Sequence, residues 1–268
     1  MPTVDAPPRT PPTPLARTSP AALALTLTGR SLRLSRRNTD ALITALAMPV
    51  MLLLVFVYFF GGAINTGTEY VTYVVPGVLL LCAGFGSANT AVAVTEDLRG
   101  GIIDRFRSLD IGGTPILTGH VLASTTRNLV ATSLVLCLAL AIGFRPTPTP
   151  AGALAALALL VVYVLALSWL SATVGLLARS AEAAGGFTFF VSFLPYPSSA
   201  FVPTQTMPSW LRAFSDHQPV TPVIDSLRGL LLNQPVRHTP WIALAWCAGI
   251  LTMSAALSAT LFARRTSS

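Results

Sequence analysis

The chain has 268 residues, 53% of them hydrophobic and only 10% charged, with a formal net charge of +7. Soluble domains carry about 25% charged residues, so this composition, with a mean hydropathy of +0.67, excludes a water-soluble globule and indicates an all-α membrane protein. All 17 basic residues are arginines. They flank apolar runs, so they read as topology determinants and not as a nucleic-acid surface.

Residues 1–20 are rich in Pro and Thr and lack an apolar core, so they are expected to form a disordered cytoplasmic tail and not a signal peptide. Residues 21–38 alternate apolar groups with a basic end. They suit an amphipathic helix on the membrane surface, with Arg30, Arg33, Arg36 and Arg37 at the headgroups. A plain basic juxtamembrane segment fits equally.

Six apolar runs follow, each near the roughly 17–25 residues that a helix needs to cross a bilayer. They cover 39–60, 71–94, 120–143, 153–178, 185–203 and 239–262. Pro49 is expected to kink the first, and Tyr58, Phe59 and Phe60 at its end suit a membrane interface. The connections are a loop 61–70 without arginine, a charged segment 95–119, a breaker-rich turn FRPTPTPAG, a short RSAEAA link, a polar Pro-rich excursion 204–238 and a final tail 263–268.

With six transmembrane helices, both termini share one side. That side collects Arg30, Arg33, Arg36, Arg37, Arg99, Arg105, Arg107, Arg179, Arg264 and Arg265, and the other only Arg145, Arg212, Arg228 and Arg237, which predicts cytoplasmic termini. Arg127 lies within the third run and is expected to snorkel inward or to face a neighbouring helix.

The chemistry of enzymes is thinly represented. Cys82, Cys137 and Cys247 are far apart, odd in number and set in apolar runs, so they read as packing residues, with no metal or disulfide spacing. A phosphate-binding loop needs the lysine of GxxxxGK, and the chain has none. No cofactor is expected in this chain; if ATP drives it, ATP and Mg belong to another polypeptide. A distant alternative is an intramembrane serine hydrolase built on Ser87, yet His120, His217 and His238 sit at run ends or in loops, away from its depth. Ser168, Ser171, Thr173, Thr188 and Ser192 read as packing residues. No aromatic band is evident inside the runs.

The stretch EDLRGGIIDRFRSLDIGG, residues 96–113, stands out as highly charged in an apolar chain. Leu98, Ile102, Phe106 and Leu109 fall on one helical face, widened by Ile103, while Arg99, Asp104, Arg105 and Ser108 point elsewhere. Glu96 and Asp97 suit a helix start, Gly100-Gly101 a bend, and Gly112-Gly113-Thr114-Pro115 a stop. Such an amphipathic helix either rests on the headgroups or docks in a groove of a soluble partner.

This stretch resembles the signature segment of type-2 ABC exporter permeases, in particular the daunorubicin-resistance type. MPVMLLLVFVYFFGGAI (48–64), YVTYVVPGVLL (70–80) and FVPTQTMPSWLRAFSDHQPVTPVIDSLRGLL (201–231) resemble further stretches of that family, so the likeness spans about residues 30–262. Asp110, His120, Ser124 and Tyr196-Pro197-Ser198-Ser199 depart from its usual pattern.

The resemblance implies that the segment is a coupling helix seated in a cleft of an ATPase subunit. Asp97, Gly101, Ile102, Ile103, Asp104, Arg105, Phe106, Arg107 and Leu109 would make the contact. It also implies short re-entrant helices in the outer excursion, with Pro208 and Thr221-Pro222 at their starts. The implied function is the permease subunit of an ATP-driven exporter for an amphipathic small molecule such as an antibiotic or drug. A lipid or lipid-linked saccharide is the alternative cargo. The implied partners are two copies of a separate ATPase, a second copy of this chain or a homologous permease, and the lipid bilayer. Tyr58, Phe85, Phe189, Phe193, Tyr196 and Phe201 are the candidates for the substrate path.

Overall fold

The computed structural model describes residues 29, 39–100 and 113–266. The expected tail 1–20, the surface segment 21–38 apart from Gly29, and the middle of the charged segment, including Asp110, lie outside the described residues. Among those that are described, every regular element is a helix. In a hydrocarbon environment a helix satisfies its own backbone polar groups, which an open strand cannot.

Helix α1 covers Thr39–Val55 with Pro49 inside it, and continues as a wider π-helical turn over Phe56–Phe60. α2 is Tyr70–Arg99, α3 Gly113–Ala141 and α4 Pro150–Leu177. α5 is Ala181–Ser192, followed by two short helices, α6 (Ser209–His217) and α7 (Val220–Leu231), and by the long α8 (Thr239–Thr266). Four stretches are long and apolar enough to cross a membrane: Tyr70–Arg99, Leu117–Ala141, Pro150–Leu177 and Thr239–Leu261. Leu46–Phe60 is a shorter apolar helix.

Local chemistry explains the boundaries. The Thr149 hydroxyl accepts from the Gly152 amide at 3.0 Å and Pro150 opens α4, since a first-turn N–H has no helical partner to lose. Ser180 caps α5 by accepting from the Ala183 amide at 3.1 Å. Arg145 donates to the Leu140 carbonyl at 2.7 Å, closing the end of α3. Gly113-Thr114-Pro115 opens α3, where a proline in the first turn costs no hydrogen bond.

The fifth run departs from expectation. Helix α5 has 12 residues, roughly 18 Å at 1.5 Å per residue, too short for a hydrocarbon core of about 30 Å. Residues 193–203 form turns and not a continuation of the helix. Pro195 and Pro197 bring no N–H, so the chain falls back on tight bonds such as Tyr196 N–H to the Phe193 carbonyl at 3.0 Å. Ser198 completes the break, donating to the Pro195 carbonyl and accepting from the Ala200 amide.

α2 is the centre of the molecule. It packs against α1, α3, α4, α5 and α7. Val74, Val75, Val78, Leu80 and Leu81 have essentially no exposed surface. Three contacts of α2 are too close for a side chain, the first at Gly86, where a Cβ would overlap Asn128 Oδ1. A Cβ on Gly77 would lie 2.5 Å from Ala200 Cβ, and one on Gly175 would lie 2.5 Å from the Ala91 carbonyl oxygen and 2.9 Å from Val94 Cβ.

Hydrogen bonds tie the same helices together. Ser87 accepts from the Asn128 amide at 3.0 Å, Thr90 donates to Ser124 at 2.6 Å, and Ser124 lies 3.0 Å from Ser168. Thr173 on α4 meets Ser258 on α8 at 2.7 Å. Ser168 and Thr173 therefore join helices by hydrogen bonds as well as packing between them. Thr188 and Ser192 bond only to carbonyls of their own helix, and Ser171 is buried.

The remaining elements differ in character. α7 buries Val220, Val223, Ile224 and Leu227 and packs against α2, α4 and α8. α6 turns Ser215 inward, where it donates to the Pro197 carbonyl at 2.8 Å, and leaves Trp210 and Phe214 exposed. α8 presents Trp241, Ile242, Trp246 and Met253 outward, as a lipid-facing helix does. Cys82 and Cys247 are buried, Cys137 is exposed, and all three are free.

A valine at Gly175 must push α4 away from α2. We expect Gly175→Val to lower stability by about 1–3 kcal/mol in detergent unfolding experiments. Gly186→Ala, at a helical position with open space around it, should leave stability unchanged or slightly higher.

Candidate functional site

Two clusters lie at opposite ends of α2. The first surrounds its C-terminal turns, where the charged segment leaves the helix. His120 Nε2 on α3 is 3.0 Å from Asp97 Oδ2, with the two side chains 12% and 21% exposed. Two turns of α2 also reach α4. The Thr95 hydroxyl donates at 3.0 Å to the carbonyl of Gly175, the residue whose missing side chain permits the approach. Arg99 donates to the Arg179 carbonyl just beyond α4. Glu182 in the first turn of α5 accepts from its own backbone N–H and from Ser180. Those bonds, with the positive charge of Arg99 nearby, hold its carboxyl below the usual range. The ends of α2 and α4 and the starts of α3 and α5 are thus joined at one place.

Of the residues expected to contact an ATPase, Asp97 alone is among the described residues, and its carboxylate faces His120 on α3. Gly101, Ile102, Ile103, Asp104, Arg105, Phe106, Arg107 and Leu109 lie outside the described residues, as do Arg30, Arg33, Arg36 and Arg37. The partnership of His120 with Asp97 was not visible in the sequence. Both residues flank the same charged segment, and that symmetry was the available signal.

The second cluster is aromatic. Phe189 and Phe193 on and just after α5 have ring centres 4.9 Å apart, Phe193 and Tyr196 4.9 Å, and Tyr196 and Phe201 5.5 Å. Phe201 then stacks on Phe56 of α1 at 4.1 Å, and Phe56 meets Phe60 at 5.5 Å. Six rings form one track, with Phe201 buried and Phe60, Phe189 and Phe193 exposed.

This track overturns the expectation that no aromatic band runs within the apolar segments. It joins rings from two runs far apart in sequence, which no single run reveals. It includes four of the expected path residues, Phe189, Phe193, Tyr196 and Phe201. Tyr58 is exposed and outside it, and Phe85 is half-buried against the core. Phe56 and Phe60 were missed; their spacing of four was the clue.

A polar clamp holds the non-helical part of the track. Arg228 on α7 donates to Asp225 at 2.8 Å, to the Ser199 carbonyl at 2.6 Å and to the Tyr73 carbonyl at 3.2 Å. Its guanidinium lies 3.9 Å from the centre of the Tyr73 ring. Ser199 donates to Asp225 at 2.6 Å, and the Tyr70 hydroxyl donates to the Phe201 carbonyl at 2.9 Å. Backbone that a helix would have satisfied internally is satisfied here by α2 and α7.

Ser87 is engaged by the Asn128 amide, which is not a base, while His120 faces Asp97 and His217 lies 2.7 Å from the Ala213 carbonyl. Among the described residues, no three His, Cys, Asp or Glu side chains gather to hold a metal.

The family model of the ABC-2 type transporter matches residues 22–232. The chain belongs to the ABC-2 type transporter family. This permease is 29% identical over 249 residues to a daunorubicin resistance ABC transporter permease protein of Streptomyces coeruleorubidus, covering 92% of this chain and 88% of that one. It is 26% identical over 236 residues to a probable doxorubicin resistance ABC transporter permease protein of Mycobacterium tuberculosis, covering 87% and 86%. It is a multi-pass protein of a bacterial cytoplasmic membrane and a transport subunit, not itself catalytic. Permeases of this family normally work with an ABC ATPase subunit.

The Arg228 clamp depends on a planar fork with several donors, which lysine does not reproduce. We expect Arg228→Lys to cost about 1–3 kcal/mol and Tyr70→Phe about 1 kcal/mol, measured by thermal unfolding of the purified permease in detergent.

Proposed function

We propose that the chain is the membrane-spanning subunit of an ATP-driven exporter that moves an amphipathic small molecule, such as an antibiotic or drug, out of the cell. The observation that carries this reading is the aromatic track. Its rings offer flat, apolar contact surface without charge, which suits a compact amphipath with an apolar body. The drugs named for the two relatives support the same cargo class.

In this reading the chain crosses the membrane six times with cytoplasmic termini. α1 with its π-helical turn, and α5 with the clamped turns 193–203, supply the two crossings that are not long unbroken helices. The segment between α2 and α3 is the coupling helix. Ile102, Ile103, Phe106 and Leu109 form its buried face, and Asp104, Arg105 and Arg107 pair with charges on the ATPase. Two copies of that ATPase and a second permease, identical or homologous, complete the transporter. ATP and Mg bind the ATPase. Lipid or lipid-linked saccharide export remains the alternative cargo, because exposed rings at a membrane boundary also suit acyl chains.

Reconstitution of the permease with its ATPase in proteoliposomes tests the reading. Phe106→Asp should abolish ATPase co-purification and export, since it places a charge in an apolar docking face. Phe193→Ala should lower export by about tenfold while leaving ATPase binding intact, through loss of stacking. Export of lipid-linked saccharide alone, with no movement of aromatic amphipaths by the wild-type complex, would establish the alternative cargo. Unaltered ATPase binding by Phe106→Asp would refute the docking face.

A further inference from the structure

The contacts between α2 and α3 form an ordered series. Asp97 pairs with His120, Thr90 with Ser124, and Ser87 with Asn128. These are successive rungs of an antiparallel helix pair, descending from the point where the charged segment leaves α2. From the middle rung, Ser124 reaches Ser168 on α4, and Thr95 and Arg99 reach α4 and the residue beyond it. The inner parts of α2, α3 and α4 therefore share a hydrogen-bonded seam. Their outer parts, around Val74, Val78, Val135, Leu159 and Tyr163, meet through apolar contacts.

These two kinds of contact respond differently to force. A hydrogen bond fixes register and is lost when its partners shift by an ångström or so, whereas a dispersion contact keeps about half or more of its attraction over a gap of up to about 1 Å. The Asp97–His120 rung is the end of the seam nearest the charged segment, the least buried and the one that includes a carboxylate, which makes it the strongest in kind. It also sits where any displacement of the segment between α2 and α3 first reaches the helices.

Resting on the coupling role proposed above, we infer that Asp97 and His120 are positioning residues that oblige α3 to move with α2 when the segment between them is driven. The seam behind them carries that movement to α4. Without the pair, the two helix ends splay apart and the displacement is absorbed at the membrane surface. The pair acts on the helices and touches neither cargo nor nucleotide.

The test uses the full permease with its ATPase in proteoliposomes, reading export and ATP hydrolysis in the same sample. His120→Ala should retain ATPase binding and hydrolysis while export per ATP falls by about tenfold, the scale typical of coupling between sites. The exchanged pair, Asp97→His with His120→Asp, should recover most of that loss, because it restores the same contact with the partners reversed. His120→Gln, which keeps an N–H donor on a side chain of similar reach, should fall between the two and serves if the alanine variant does not accumulate.

A purely structural pair would lower the amount of folded complex and leave export per ATP unchanged. That result in His120→Ala and His120→Gln would overturn the inference. So would an exchanged pair no better than the worse single variant, or loss of ATPase binding in His120→Ala, which would place the residue in assembly. Failure of the wild-type complex to export at all would sink the exporter reading itself and is seen before any variant is compared.

Discussion

Enclosure of α2 on nearly all sides is the constraint from which the rest of this structure follows. The helix has 30 residues, roughly 45 Å in length, and so outruns a hydrocarbon core of about 30 Å. Neighbours on α1, α3, α4, α5 and α7 must reach its surface together. Large side chains on every face would keep some of them away. Close approach is achieved at Gly77 against Ala200 and at Gly175 against Ala91. Between lipid-soluble helices the hydrophobic effect does little, so contact distance and hydrogen bonds decide which faces meet.

Enclosure also explains how the chain tolerates a broken α5. Exposed irregular backbone is excluded from hydrocarbon, but the turns 193–203 run against protein. Arg228, Tyr70 and Ser198 satisfy carbonyls or amides that no helix supplies. The reward of the break is geometric. A straight helix would continue past Phe193, whereas the turns bring Tyr196 and Phe201 into line and carry the ring series across to Phe56 on α1.

The two clusters share one helix. At its start, Tyr70 and the carbonyl of Tyr73 hold the turns that carry the aromatic track. At its end, Asp97, Thr95 and Arg99 join α3 and α4 beside the charged segment. A shift of α2 along or about its axis therefore acts on both ends together. This is a physical basis for linking an event at one end of the helix to the aromatic track at the other.

Much of the fold was legible before the structure. Low charge and long apolar runs determined the all-helical membrane class, because hydrocarbon leaves few ways to satisfy a backbone. The starts of α4 and α5, expected at 153 and 185, lie a turn earlier at Pro150 and Ala181, where Thr149 and Ser180 cap them locally. The motifs around residues 48–64, 70–80, 96–113 and 201–231 identified the family. Tertiary structure alone decided that the fifth run breaks after Ser192, since Pro195 and Pro197 permit a break that only the Arg228 clamp makes stable. It alone paired His120 with Asp97, and Phe201 with Phe56, over 23 residues in the first case. Sequence periodicity reports which face of a segment is apolar; it does not report which distant segment will meet that face, because that choice depends on how closely whole helices can approach.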